Sequence, residues 1–187
     1  DIQDETRRLD RIIRNFLKAT RKPPLRFRLD NLNEVIDDAL SFLKPQLDAS
    51  KIIVRFSKDK GLPPFLLDRE RLYYAFMNLI KNALEAMPSG GSVKIALTHK
   101  QNCAAVTITD TGCGIAEKDL GRIFDIYYTT KPEGAGLGLM LVYDAVAEHG
   151  GRIEVASKLN KGTTFKILLP IREPQLQLPH YHPPKGG

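Results

Sequence analysis

Between residues 69 and 110 the apolar pattern changes period, and this change limits the fold more than any other feature. Arg69–Met87 repeats at helical spacing: Leu72, Phe76, Leu79, Ile80, Ala83 and Met87 fall on one side at about 100° per residue. Pro88-Ser89-Gly90-Gly91 breaks the pattern. Ser92–His99 and Ala104–Asp110 then alternate branched and polar residues, as half-buried strands do. A one-faced helix beside one-faced strands buries both apolar faces only if it stacks on the sheet they form.

The flanking segments extend this order. Asp30 can cap a helix over Leu32–Ala49, with an apolar face of Leu32, Val35, Ile36, Ala39, Leu40, Leu43 and Leu47. Pro45 is expected to kink or split it. Lys51–Ser57 alternates like a strand, Gly61-Leu62-Pro63-Pro64 reads as a turn, and Asp68 can cap the helix from Arg69. Leu137–His149 reads as a helix ended by Gly150-Gly151, followed by strands Arg152–Ser157 and Thr163–Leu169. The expected class is α+β, a two-layer sandwich of a mixed sheet with helices on one face.

At the N-terminus, Ile2, Leu9, Ile12, Ile13, Phe16 and Leu17 form a helical stripe wide enough for a bundle, which Pro23-Pro24 ends. The expected organisation is a helix over residues 1–22, a linker over 23–29 (with Arg21–Arg28 reading as linker), a domain over 30–171 and a mobile, Pro-rich tail over 172–187.

Length and composition, 187 residues with 42% hydrophobic and 27% charged, fit one such domain. No apolar run reaches the roughly 20 residues that span a bilayer, and the charged stretch Asp1–Arg14 is no signal peptide. Only Cys103 and Cys113 are present, too few for a disulfide scaffold or a four-ligand zinc site, and they fit a cytoplasmic setting. The net charge of +6 arises from basic residues interleaved with acids, without a nucleic-acid motif, so no nucleic-acid partner is expected.

Three features point to chemistry. Opposite the apolar side of Arg69–Met87 stand Asn78, Lys81, Asn82 and Glu85. Two amides one turn apart are less routine on a wet face than Lys and Glu, and a neutral amide oxygen can ligate Mg²⁺ while phosphates supply the negative charge. Asp110-Thr111-Gly112-Cys113-Gly114-Ile115 follows a strand: a carboxylate at a strand end can receive an amino group, and the glycines let backbone approach a flat ring. Gly134-Ala135-Gly136-Leu137-Gly138-Leu139 opens a helix, where backbone N–H groups bind phosphate. The last is neither a Rossmann fingerprint, since no strand precedes it, nor a P-loop, since the Lys-Ser/Thr ending is missing.

Together these segments resemble the ATP-binding catalytic domain of sensor histidine kinases, in the Bergerat-fold superfamily. Asn78-Leu-Ile-Lys-Asn82-Ala resembles the N box, Asp110-x-Gly112-x-Gly114 the first glycine box and Phe124-Asp-Ile-Tyr-Tyr-Thr129-Thr130-Lys131 the F box. Gly134-x-Gly136-x-Gly138 resembles the second glycine box, and Gly162-Thr163-Thr164-Phe165 the closing Gly-Thr strand. The motifs stand in family order across about residues 30 to 170. Residues 1–22 resemble the second helix of the family's dimerisation hairpin.

The resemblance implies ATP with Mg²⁺. Asp110 would accept from the adenine amino group, with Gly112, Gly114 and Ile115 lining the base. Asn82 would ligate the metal, with Asn78 beside it in a catalytic role. Gly136 and Gly138 would present backbone to the phosphates. Thr129, Thr130 and Lys131 would form the hinge and lid edge, Lys131 also touching the γ-phosphate as a second catalytic residue. Lys81, Tyr128, Gly134, Leu137, Leu139 and Thr163 complete the nucleotide-contacting set. The implied partners are the phosphoacceptor hairpin, a second copy in the full-length dimer and a response regulator, and the full-length protein can be membrane-anchored.

Two departures stand out. The phosphoacceptor box is absent: none of His99, His149, His180 or His182 has that context, so the chain is expected to start after it. The F box carries Asp125-Ile126-Tyr127-Tyr128 where the family commonly has Glu-Pro-Phe-Phe, a change expected to tune lid packing. Related hydrolytic ATPases (gyrase, MutL) place a Glu where Asn78 stands. An amide cannot deprotonate water, whereas a neutral imidazole nucleophile, populated at pH 7 from a reference pKa of about 6.5, needs no strong base. Rival readings are a hydrolytic ATPase, an anti-sigma-type serine kinase and a nucleotide-binding scaffold without transfer.

Overall fold

In the computed structural model, residues 24–128 and 136–173 are described. The expected helix Ile2–Thr20, the site residues Thr129, Thr130, Lys131 and Gly134, and the segment from residue 174 onward, with His180 and His182, lie outside them.

In chain order the elements are β1 (Arg28–Asp30), α1 (Leu32–Ala49), β2 (Ile52–Ser57), β3 (Phe65–Leu67), α2 (Arg69–Glu85), β4 (Gly91–Lys100) and β5 (Cys103–Asp110). They continue with α3 (Glu117–Leu120), α4 (Gly138–Glu148), β6 (Arg152–Lys158) and β7 (Gly162–Pro170). The main sheet has the order β2-β4-β5-β7-β6, with β2 parallel to β4 and the other pairs antiparallel. It is the mixed sheet expected, and α1, α2 and α4 lie on one face, α2 between the other two.

Strand alternation explains the layering. Val93, Ile95 and Leu97 of β4, Val106 and Ile108 of β5, and Phe165, Ile167 and Leu169 of β7 are buried. Their neighbours Lys94, Thr107 and Lys166 point to the open face. The helical stripe of α2 meets this surface: Leu72, Phe76, Leu79 and Ile80 are fully buried. Truncating Phe76 to Ala would cost about 3–5 kcal/mol.

The structure differs from the sequence reading at several places. Asp30 does not cap α1. Asn31 does, its side chain accepting from the Asn33 N–H at 3.0 Å, while Asp30 Oδ1 faces Arg69 at 2.6 Å. Both residues are good caps, and the ion pair decides between them. Pro45 does not split α1, which runs unbroken to Ala49. The proline is exposed, so the Ser41 carbonyl that loses its donor faces water. Arg28 and Leu29, read as linker, are strand: β1 pairs with β3 in a two-stranded sheet too short to show periodicity. Arg172, assigned to the tail, accepts from the Leu66 N–H at 2.9 Å through its carbonyl. Among the described residues no helix is long and apolar enough to cross a membrane.

Candidate functional site

Asp110 ends β5, opposite Val93 of β4, and its parity turns it inward under the helices. It is buried. Two backbone N–H groups donate to one carboxylate oxygen: Gly112 at 2.8 Å and Thr163 at 3.2 Å, both to Oδ1. Oδ2 receives no hydrogen bond from any described residue. Burial pushes the carboxyl pKa up, and the two N–H donors pull against that shift. A buried carboxylate with one oxygen saturated and the other open is an acceptor for a ligand donor.

The loop after Asp110 is pinned on two sides. Its Cys113 N–H donates to the Ala86 carbonyl at the end of α2, at 3.1 Å. The Asn160 N–H, in the β6–β7 turn, donates to the Cys113 carbonyl at 2.7 Å. A Cβ on Gly112 would stand 2.7 Å from the Ala86 Cβ, so only glycine lets the loop lie this close to α2. Gly114 has φ +70°, and a Cβ there would overlap the Lys158 carbonyl. The Ile115 N–H donates to Ser157 Oγ at 2.8 Å, and Ser157 Oγ lies 2.9 Å from Thr163 Oγ1. Asp110, Gly112, Gly114, Ile115 and Thr163 are thereby gathered into one bonded unit.

A second group forms where α2 passes the start of α4. Asn78 and Asn82 are half-buried on α2. The Asn78 Nδ2 donates to the Tyr74 carbonyl at 2.9 Å, and a Cβ on Gly138 would stand 3.1 Å from Asn78 Oδ1. Glycine thus keeps the space between the amide and the helix start open. The start of α4 has no side-chain cap and no acidic residue in its first turn. By contrast α1 and α2 are capped by Asn31 and Asp68. An uncapped helix start leaves N–H donors for an anion.

The remaining expected residues stand around this group. Leu137 is buried and Leu139 packs on the core. Gly136, at φ +66°, accepts from the Tyr127 N–H through its carbonyl at 3.1 Å. Tyr128 packs on the core with Arg122 over its ring at 4.7 Å, and a hydrogen bond with Asp119 raises its phenol pKa. Lys81, on the same helix, is exposed, with Nζ 3.9 Å from a Glu85 carboxylate oxygen.

The histidines are explained by their partners. His149 is buried between α4 and α2: Nδ1 lies 2.6 Å from the Ala145 carbonyl and Nε2 accepts from the Asp68 N–H at 2.9 Å. Burial lowers its pKa, so it is held neutral with both nitrogens engaged. His99 faces Asp59 at 2.7 Å, which lowers the Asp59 pKa. Sequence reading missed Ser157 and the β6–β7 turn. The available signal for Ser157 was its parity, since it shares the inward side of the alternating strand with Ile153 and Val155.

Residues 67–173 match the family described as histidine kinase-, DNA gyrase B- and HSP90-like ATPase. The sensor histidine kinase ZraS of Escherichia coli (strain K12) is 35% identical over 167 residues, which are 89% of this chain and 36% of ZraS. The chain thus spans about a third of that relative. The catalytic domain of histidine kinase ThkA superposes with a TM-score of 0.73 at 30% identity, covering 79% of this chain and 97% of that one. ThkA in complex with response regulator protein TrrA gives 0.75 at 27%, covering 91% and 49%. Full-length ShkA in complex with AMPPNP gives 0.73 at 25%, covering 81% and 32%.

Proposed function

The chain belongs to the histidine kinase-, DNA gyrase B- and HSP90-like ATPase family, and we propose that this ATP-binding catalytic domain transfers the γ-phosphoryl group of ATP to a histidine outside this sequence. The observation that carries the reading is Asp110: a buried carboxylate with Oδ1 saturated by two backbone donors and Oδ2 open, in a domain whose α4 starts without a side-chain cap.

In this reading Asp110 Oδ2 accepts from the adenine amino group, and Gly112, Gly114 and Ile115 flank the base. The phosphates extend toward Gly136, Gly138 and the first-turn N–H groups of α4. Lys131 adds charge at the γ-phosphate. Asn82, a neutral oxygen donor, would hold Mg²⁺ together with the phosphates. Bound there, the ion would neutralise charge on the transferred phosphoryl group. The donor set suits that metal: α2 offers amide oxygens there, and the phosphates bring the negative charge. Asn78, an amide, orients and does not deprotonate, which disfavours water as nucleophile and leaves the acceptor imidazole to attack unaided.

Residues 1–22 are proposed as one helix of a dimerising hairpin, with the acceptor histidine on the hairpin's other helix. A response regulator then receives the phosphoryl group, as the ThkA–TrrA complex suggests. The test is to supply a hairpin carrying the family's acceptor box together with ATP and Mg²⁺. Phosphate that is labile to acid and stable to base, and lost from an Asp110→Asn variant, supports the reading. Acid-stable phosphate, or none on any added hairpin while ATP is hydrolysed, rejects it.

A further inference from the structure

One side chain outside the expected set sits at the centre of the base-end unit. Ser157 lies in β6 opposite Thr163 of β7 and is half-buried under the helices. Its Oγ has three partners: the Ile115 N–H at 2.8 Å, the Gly162 carbonyl at 2.9 Å and Thr163 Oγ1 at 2.9 Å. A hydroxyl has one proton and two lone pairs. The Ile115 N–H can only donate, so it takes one lone pair. The Gly162 carbonyl can only accept, so it takes the proton. The Thr163 hydroxyl must therefore donate into the second lone pair. Its proton is turned toward Ser157, and its own lone pairs are what it can offer elsewhere.

Thr163 and Asp110 share the inward face of neighbouring strands, and the Thr163 N–H is already bonded to Asp110 Oδ1. With its proton committed to Ser157, Thr163 joins Asp110 Oδ2 as a second acceptor on the same edge. An edge of two acceptors suits an exocyclic amino group, which has two N–H donors, or a water held between them. It opposes a ring carbonyl, which brings an acceptor against acceptors.

We propose that Ser157 is a positioning residue that fixes the Thr163 hydroxyl as an acceptor, and thereby makes the base site select 6-aminopurine over 6-oxopurine nucleotides. This rests on the ATP-binding reading above. Removing the Ser157 hydroxyl frees the Thr163 proton to rotate toward the ligand and donate to a ring carbonyl, so discrimination falls. A purely structural role for Ser157 would weaken both nucleotides alike.

The experiment is calorimetric titration of ATP and ITP, each as the non-hydrolysable analogue with Mg²⁺, on wild type, Ser157→Ala, Ser157→Thr and Asp110→Asn. ITP differs from ATP along one edge of the base, where a carbonyl replaces the six-amino group and N1 carries a proton, and it lacks a second amino group. The expected result is a preference for ATP in wild type that narrows about tenfold in Ser157→Ala and returns in Ser157→Thr, which keeps the hydroxyl. If Ser157→Ala does not fold by thermal melting, Ser157→Cys, of similar size and a weak donor, gives the same narrowing. An ATP/ITP ratio unchanged in the folded Ala or Cys variant overturns the inference while leaving ATP binding intact. Wild type that binds neither nucleotide overturns the ATP reading and this inference with it.

Discussion

The two ends of the candidate site are built on opposite plans. At the base end, Asp110, Ile115, Thr163 and Ser157 are joined by side-chain and backbone bonds of 2.8–3.2 Å, and the β6–β7 turn clamps the loop. At the phosphate end, Asn78 approaches Gly138 across a gap that a single Cβ would narrow, and α4 starts without a cap. Preorganised hydrogen-bonding groups favour discrimination between bases, whereas unsatisfied N–H groups and small residues favour a charged group that brings its own counter-ion. The difference assigns recognition to one end and charge handling to the other.

Substitutions at the two ends should separate the plans. The largest effect is expected at Asp110. Asp110→Asn keeps an oxygen for the Gly112 and Thr163 N–H groups but turns an NH₂ donor toward the adenine amino group, so ATP affinity should fall at least about 100-fold. Stability should move the other way. Because burial raises the folded-state pKa of Asp110, the stability linked to its protonation is present below about pH 4 and is lost as pH rises through the raised value. At pH 7 the neutral variant should melt at or above the wild-type temperature, and this advantage should shrink on acidification. A variant that loses binding only because it unfolds would erase the distinction between the two ends.

Gly138→Ala should produce the same pairing at the phosphate end, with a smaller effect and no change in base preference. Alanine narrows the unfolded chain's conformations relative to glycine, worth about 0.4–1 kcal/mol where the native backbone suits it, and Gly138 carries no positive φ. Its Cβ nevertheless stands 3.1 Å from Asn78 Oδ1. Melting temperature should rise while affinity for the ATP analogue drops about tenfold, with the ATP/ITP ratio unchanged. A change in that ratio would show that the ends are not independent.

Asn78→Glu sharpens the same end. A carboxylate there can accept a proton from water, so ATP hydrolysis by the isolated domain should rise several-fold. Unchanged hydrolysis would remove the basis for assigning Asn78 an orienting role.

The smallest expected effect lies away from both ends, at His149. Burial lowers its folded-state pKa, so its contribution to stability is present above about pH 6.5 and is lost as pH falls through the lowered value. His149→Gln should flatten the acid limb of a pH–stability curve by roughly 1 kcal/mol, leaving nucleotide affinity at pH 7 within about twofold.

The layered architecture was readable because the apolar period is long and regular in α2 and strictly alternating in β4 and β5. The three-residue strands β1 and β3 were not, since three residues carry no period. Nor was the choice of Asn31 over Asp30 as cap, which depends on Arg69, 39 residues away from Asp30. Within the site, Asp110 announced itself as a carboxylate at a strand end followed by paired glycines. Ser157 did not, because its importance comes from meeting Ile115, 42 residues away in sequence, and such long-range bonds leave no local pattern.

The most direct test of the central claim is titration of a non-hydrolysable ATP analogue with Mg²⁺ into wild type and Asp110→Asn, with melting curves of both at pH 7. The account predicts binding to wild type, its loss in the variant, and a variant at least as stable as wild type. Equal binding by both proteins, or no binding by the folded wild type, would contradict it.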